Sequence, residues 1–294
     1  MTRTPKYMVA AAAWCIVAFF VLMALAYYVP AAAYVDAAAL HGFVAVGRSP
    51  INEAAHILAN LFNPLPYAVA CVITITWAVK TRGLRTAAAV TVLLGGANVS
   101  SQVLKPLLAH HRELYHTQFK LYNIDAAAYP SGHSTAVMAL ALAVLIIVPR
   151  AYRPLFAALG ALATVAVSFS ILILEWHFPS DVVGGYLSAT AWGLTAFAAL
   201  RYANLRWPAA GTMRIAARQA IAAPSTAAIL RVALGLAVVI CVVAATRAHQ
   251  IASFAQRHTA FVAVASAIAV AAAVLLAAVV AISSSSNRAS RSSR

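Results

Sequence analysis

Apolar residues come in long unbroken runs along this chain, not in the i, i+3, i+4 stripes of a soluble helix or the alternation of a half-buried strand. Eight runs stand out, at about 8–29, 64–79, 86–108, 131–149, 154–175, 179–200, 229–247 and 259–282. A helix needs roughly 20 apolar residues to cross a bilayer, so the pattern predicts an all-α, polytopic membrane bundle. The run at 64–79 is the short one, bounded by Asn63-Pro64 and Lys80. The first follows Arg3 and Lys6 and is too long for a typical cleaved signal core, so it reads as an anchor. Ala-x-Ala patterns at 31–33 keep cleavage open.

Between the runs the chain turns polar. Residues 30–63 read as a long loop, with an amphipathic interfacial helix within 50–62. Residues 109–129 form a second loop rich in His, Tyr and charge, and 201–228 a basic linker broken by Pro208, Gly211 and Pro224. The tail 283–294 is polar, low in complexity and expected to be disordered. No internal repeat is evident.

Composition agrees with a membrane protein: 64% of the 294 residues are hydrophobic and 9% charged, where soluble domains carry about 25% charge. Cys15, Cys71 and Cys241 all sit inside apolar runs and read as small buried hydrophobes, not as a disulfide framework or metal site. The net charge of +15 gains its meaning from position. With the N-terminus inside, fifteen of the 21 cations fall on inner segments, which places both termini in the cytoplasm. All six acids and all nine histidines then fall on the outer side. The charge is therefore a topology signal with attraction to anionic lipid, and nucleic-acid binding is not expected.

Three polar clusters interrupt the apolar boundaries, where charge is costly and calls for a use. Lys105 and Arg112 lie seven residues apart, about 10 Å along one helix face if the helix persists past Pro106. Pro130-Ser131-Gly132-His133 opens the fourth run, combining a capping serine, a glycine that admits an anion and free amides of a first turn. His177 and Asp181 stand at i and i+4 across Pro179; a carboxylate on one ring nitrogen fixes the tautomer and raises the nucleophilicity of the other. Read singly, these are also a snorkelling cation pair, an ordinary capped helix and a structural His–Asp pair. Under the predicted topology all three emerge on the outer side.

The ordered set Lys-x6-Arg, Pro-Ser-Gly-His and Ser-x6-His-x3-Asp over 105–185, with the run His177-Phe-Pro-Ser-Asp-Val-Val-Gly-Gly185, resembles the type 2 phosphatidic acid phosphatase superfamily, the lipid phosphate phosphatases. The resemblance implies a six-helix membrane core over 1–200, with 229–282 a two-helix addition. It implies that His177 attacks phosphorus to form a phosphohistidine, oriented by Asp181, and that His133 protonates the leaving oxygen. Lys105, Arg112, Ser131 and Gly132 would bind the substrate's phosphate, with no cofactor or metal. The expected partner is a membrane lipid substrate: a polyprenyl diphosphate, a polyprenyl sugar phosphate or a phosphatidate-like lipid. A homo-oligomer is compatible with the sequence.

Two positions depart from the family pattern. Ser170-Ile171 stands where the family has Ser-Arg, and Glu113 where it has proline. Loss of an arginine contact to a phosphoryl group costs roughly 2–4 kcal/mol of transition-state stabilisation, about 30- to 1000-fold in rate. Arg48, His110, His111 and Lys120 are the candidates to stand in. Two other readings stay open. One is a phosphotransferase that passes the phosphoryl group to a lipid or glycan acceptor. The other is a non-catalytic lipid-binding or transport protein, hinted at by Gly95-Gly96-Ala97-Asn98 in mid-run.

Overall fold

The protein is described by a computed structural model covering residues 4–47, 49–112, 119, 124–207 and 248–284. Helices are α1 (Thr4–Tyr28), α2 (Pro30–Val46), α3 (Ser49–Asn60), α4 (Pro64–Arg82), α5 (Leu84–Leu107), α6 (Gly132–Ile147), α7 (Arg153–Ile173), α8 (Pro179–Arg206), α9 (Ala248–Arg257) and α10 (Thr259–Ser284). A 3-10 turn at Arg150–Tyr152 leads into α7. No strand occurs among the described residues. Six of the helices, α1, α4, α5, α7, α8 and α10, are long and apolar enough to cross a membrane, which makes this a multi-pass membrane protein. With 16 residues, α6 reaches only about 24 Å, short of a full hydrocarbon core. The expected span at 229–247, most of the basic linker, Cys241 and nearly all of the tail lie outside the described residues.

Proline and glycine set the boundaries. Pro30, Pro64 and Pro179 each occupy a first helical turn, where the missing N–H is no loss. Gly83 joins α4 to α5 with φ at 85°, a conformation open to glycine, and its N–H caps α4 by reaching the carbonyls of Ala78 and Val79. Pro106 is tolerated in the last turn of α5, which then stops at Leu107.

The bundle is organised around α8, which packs on α1, α5, α6 and α10. Two-thirds of its most apolar stretch is buried inside the protein, against 11% for α4. Small residues permit this. A Cβ on Gly96 of α5 would stand 2.6 Å from the Trp192 ring of α8, and one on Gly193 of α8 would stand 2.9 Å from Leu142 of α6. Gly96 is thus a packing residue. α10 lays Ile268, Ala272, Leu276 and Val279 into the same core against α7, α2 and α8, so the second helix of the expected addition is built into the bundle.

The segment 30–63 is the main departure from the sequence reading. It is two helices, not a loop. The expected amphipathic helix is α3, lying against α7. α2 was not anticipated: Asp36, Ala37, Leu40 and Phe43 are buried, Gly42 meets Phe261 at the start of α10, and Gly47 meets Ile173 at the end of α7. With Asp36 bonded to Ser180 at the start of α8, these contacts place α2 at one end of the bundle, as a cap.

Candidate active site

The cap covers the polar clusters. Their placement begins with how α7 ends and α8 starts. The N–H of Trp176 reaches the Ile171 carbonyl at 3.0 Å and that of Glu175 reaches Leu172 at 3.1 Å, closing α7 with Glu175 in the left-handed region at φ 59°. Phe178 then caps α8, and the Asp181 side chain turns back to accept the Phe178 N–H at 2.8 Å. His177 thus precedes the helix. Its pairing with Asp181 comes from this returning carboxylate and not from a shared helical face. Nδ1 of His177 and Oδ2 of Asp181 are 3.6 Å apart, an ion-pair distance longer than a hydrogen bond. That Nδ1 is buried with no hydrogen-bond partner in this arrangement.

The start of α6 is tied to the same turn. Ser131 donates its backbone N–H to the Asp181 carbonyl at 2.9 Å. Its hydroxyl accepts from Ser134 N at 3.4 Å as the helix cap, which leaves the O–H as a donor. A Cβ on Gly132 would lie 3.7 Å from Lys105 Nζ and 3.4 Å from Gln102 Nε2, so α5 delivers an ammonium and an amide to the first turn of α6. His133 follows, its ring 5.5 Å from that of Trp176 and within electrostatic reach of both His177 and Lys105. Nε2 of His133 contacts Asn63 Oδ1 at 3.2 Å, and Asn63 Nδ2 donates to Asn60 at 3.1 Å. This relay turns the asparagine oxygen toward the ring, where it can accept a hydrogen bond from Nε2 when that nitrogen carries the proton.

Arg112 lies past the end of α5, so the seven-residue spacing does not place it with Lys105 on a helix face. Its Nη1 meets Asp36 Oδ2 at 2.8 Å and Ser180 Oγ at 3.2 Å, and its Nη2 meets Asp181 Oδ1 at 2.7 Å. Tyr27 and Phe178 cover the guanidinium at 4.8 and 4.2 Å. Burial opposes the Arg112 charge, but Asp181, Asp36 and Tyr27 outweigh it and hold the group above its ordinary value. Asp36 also accepts from the Ser180 N–H at 2.9 Å and the Ser180 hydroxyl at 2.5 Å.

The sequence reading missed Asp36, Asn63, Gln102 and Ser180. Asp36 and Asn63 lack a local signal because their partners lie 70 or more residues away. The turn chemistry of Pro179-Ser180-Asp181 was visible for Ser180, and the i, i+3 spacing to Lys105 for Gln102. Ile171 is fully buried in the apolar core. Of the candidate replacements, His110 stacks on Tyr27 at 4.7 Å and His111 is exposed, while Arg48 and Lys120 lie outside the described residues, as does Glu113.

An all-α membrane bundle with two histidines, a lysine and a glycine-opened helix at one capped end defines a recognisable class of site. Residues 84–205 match the PAP2 superfamily, the family that the chain's motifs resemble. The fold agrees. The crystal structure of a transmembrane PAP2 type phosphatidylglycerolphosphate phosphatase from Bacillus subtilis superposes with a TM-score of 0.53 at 19% identity, covering 70% of this chain and 98% of that one. No curated protein matches the chain.

Proposed function

We propose that this protein is an integral membrane phosphatase that hydrolyses a lipid-linked phosphate or diphosphate through a phosphohistidine on His177. The observation carrying this reading is the convergence of Lys105, the Ser131-Gly132-His133 turn and the His177–Asp181 pair at one end of the bundle. His177 attacks phosphorus, the bond to the leaving oxygen breaks, and His133 gives that oxygen its proton. Water then attacks the phosphohistidine, His133 takes a proton from it, and the N–P bond breaks to release phosphate. Lys105, the Ser131 hydroxyl and the Gly132 amide meet the charge that spreads over the equatorial oxygens.

Arg112 takes a different part from the one the family resemblance implies. With its guanidinium shared between Asp36 and Asp181, it holds Asp181 behind His177 and is a positioning residue. That leaves the phosphate with Lys105 as its cation among the described residues.

A lipid substrate is supported by a cavity of about 360 Å³ between α1, α5 and α8, lined by Phe19, Phe20, Trp192 and Leu104, the neighbour of Lys105. A polyprenyl diphosphate, a polyprenyl sugar phosphate, a phosphatidate-like lipid or a phosphatidylglycerol phosphate, the lipid for which the Bacillus subtilis neighbour is named, would each place its chain there. The catalytic unit is residues 1–200, and the site faces the extracytoplasmic side with both termini inside. The test is phosphate release from these lipids by purified protein. His177→Ala abolishes release if the assignment is right, and equal release by the variant overturns it. Label that moves from substrate to an acceptor lipid, with no free phosphate, would make the protein a phosphotransferase.

A further inference from the structure

At the end of the bundle away from the histidines, arginines gather with no acid among the described residues to meet them. A cavity of about 260 Å³ opens between the start of α1 and the inner ends of α6, α7, α8 and α10. Arg150, Arg153, Arg201, Asn204 and Ser283 supply its polar lining. Arg153 donates from Nη1 to Ser283 Oγ at 3.0 Å, and its guanidinium carbon stands 5.4 Å from the Phe197 ring. The Nε atoms of Arg153 and Arg201 are buried and make no hydrogen bond among the described residues. Arg82 adds a fourth cation nearby, donating to the Ile147 carbonyl at 2.5 Å where α6 ends.

Positive-inside topology accounts for arginines at this face, but such residues ordinarily reach into water. These do not. Arg153 and Arg201 each keep an Nε donor buried without an acceptor among the described residues, which is unfavourable. Arg150 and Arg82 act unfavourably on Arg153, and Arg150 on Arg201. The acids among the described residues, Asp36, Glu53, Asp125, Glu175 and Asp181, do not line the cavity. An oxyanion with several acceptor oxygens would satisfy both donors and the repulsion at once, and guanidinium forks match phosphate geometry. An apolar groove bordered by Lys6 and Tyr202 follows the same α1–α8 pair, giving a course for an acyl chain.

We propose that this pocket binds a phosphate-bearing anion, supplied as a lipid head group or as free phosphate, at a site separate from the catalytic one. The inference does not rest on the catalytic reading. The experiment follows the thermal stability of the detergent-solubilised full chain against phosphatidylglycerol, phosphatidylcholine and inorganic phosphate. Phosphatidylglycerol alone raising Tm in a saturable way identifies a lipid site; phosphate doing so equally identifies a free-anion site. In either case Arg201→Gln and Arg150→Gln weaken the apparent affinity at least tenfold, whereas Lys105→Gln does not. Arg150 is exposed, so its variant reports even if Arg201→Gln fails to fold. Equal shifts with phosphatidylcholine, unchanged affinity in Arg150→Gln, or loss of the shift in Lys105→Gln overturns the proposal.

Discussion

Asp36, Arg112 and Asp181 form a chain of opposite charges in which each buried group depends on the next. Removing one member leaves a neighbour uncompensated, and hydrogen bonds to charged groups carry about 1.5–3 kcal/mol. If that chain aims Asp181 at His177, Asp36→Asn lowers kcat about 10- to 100-fold while KM stays within about twofold. Arg112→Lys, which keeps charge but loses the fork shared by two carboxylates, shows the same split. Steady-state kinetics decide the matter: a large rise in KM with kcat intact would return Arg112 to the phosphate. As candidates, His133, His177 and Asp181 were legible in the sequence because they are polar groups at apolar boundaries. Asp36 was not, since the Ser180 it binds lies 144 residues away, and only tertiary packing joins them.

At the scale of elements, the register between α6 and α8 sets whether the histidines meet. Gly185 fixes it: a Cβ there would stand 2.8 Å from the Ser131 carbonyl and 3.0 Å from the Thr135 nitrogen, both backbone atoms that cannot rotate aside. Gly185→Ala is therefore expected to push α6 off α8, costing about 1–3 kcal/mol of stability and most of the activity. Gly95 of α5 provides the contrast, because a Cβ added there would meet nothing within 4 Å. Gly95→Ala gains helix propensity, near 1 kcal/mol, and raises Tm by about 2–4 °C with activity kept. Thermal melts and phosphate release on both variants check the pair. The helices themselves were read from hydrophobic length to within a few residues at most ends. α2 escaped because Asp36 and His41 interrupt an apolar stretch of 17 residues, too short to signal a span.

Across the whole molecule, charge and chemistry separate to opposite ends. Lys105, Arg112, His133 and His177 cluster at the capped end, while Arg82, Arg150, Arg153 and Arg201 cluster at the other. Translocating short segments rich in arginine is unfavourable, so the orientation we propose keeps the arginine end in the cytoplasm and turns the proposed catalytic end outward. That orientation has a direct readout. In a chain whose three cysteines are replaced by alanine, a cysteine at exposed His111 should react with a membrane-impermeant maleimide in intact cells. One at exposed Leu84, beside the Gly83 turn, should react only after the membrane is opened. The reverse pattern would place the phosphohistidine in the cytoplasm. The substrate would then have to present its phosphate from the inner leaflet, and the arginine pocket would have to draw its anion from outside.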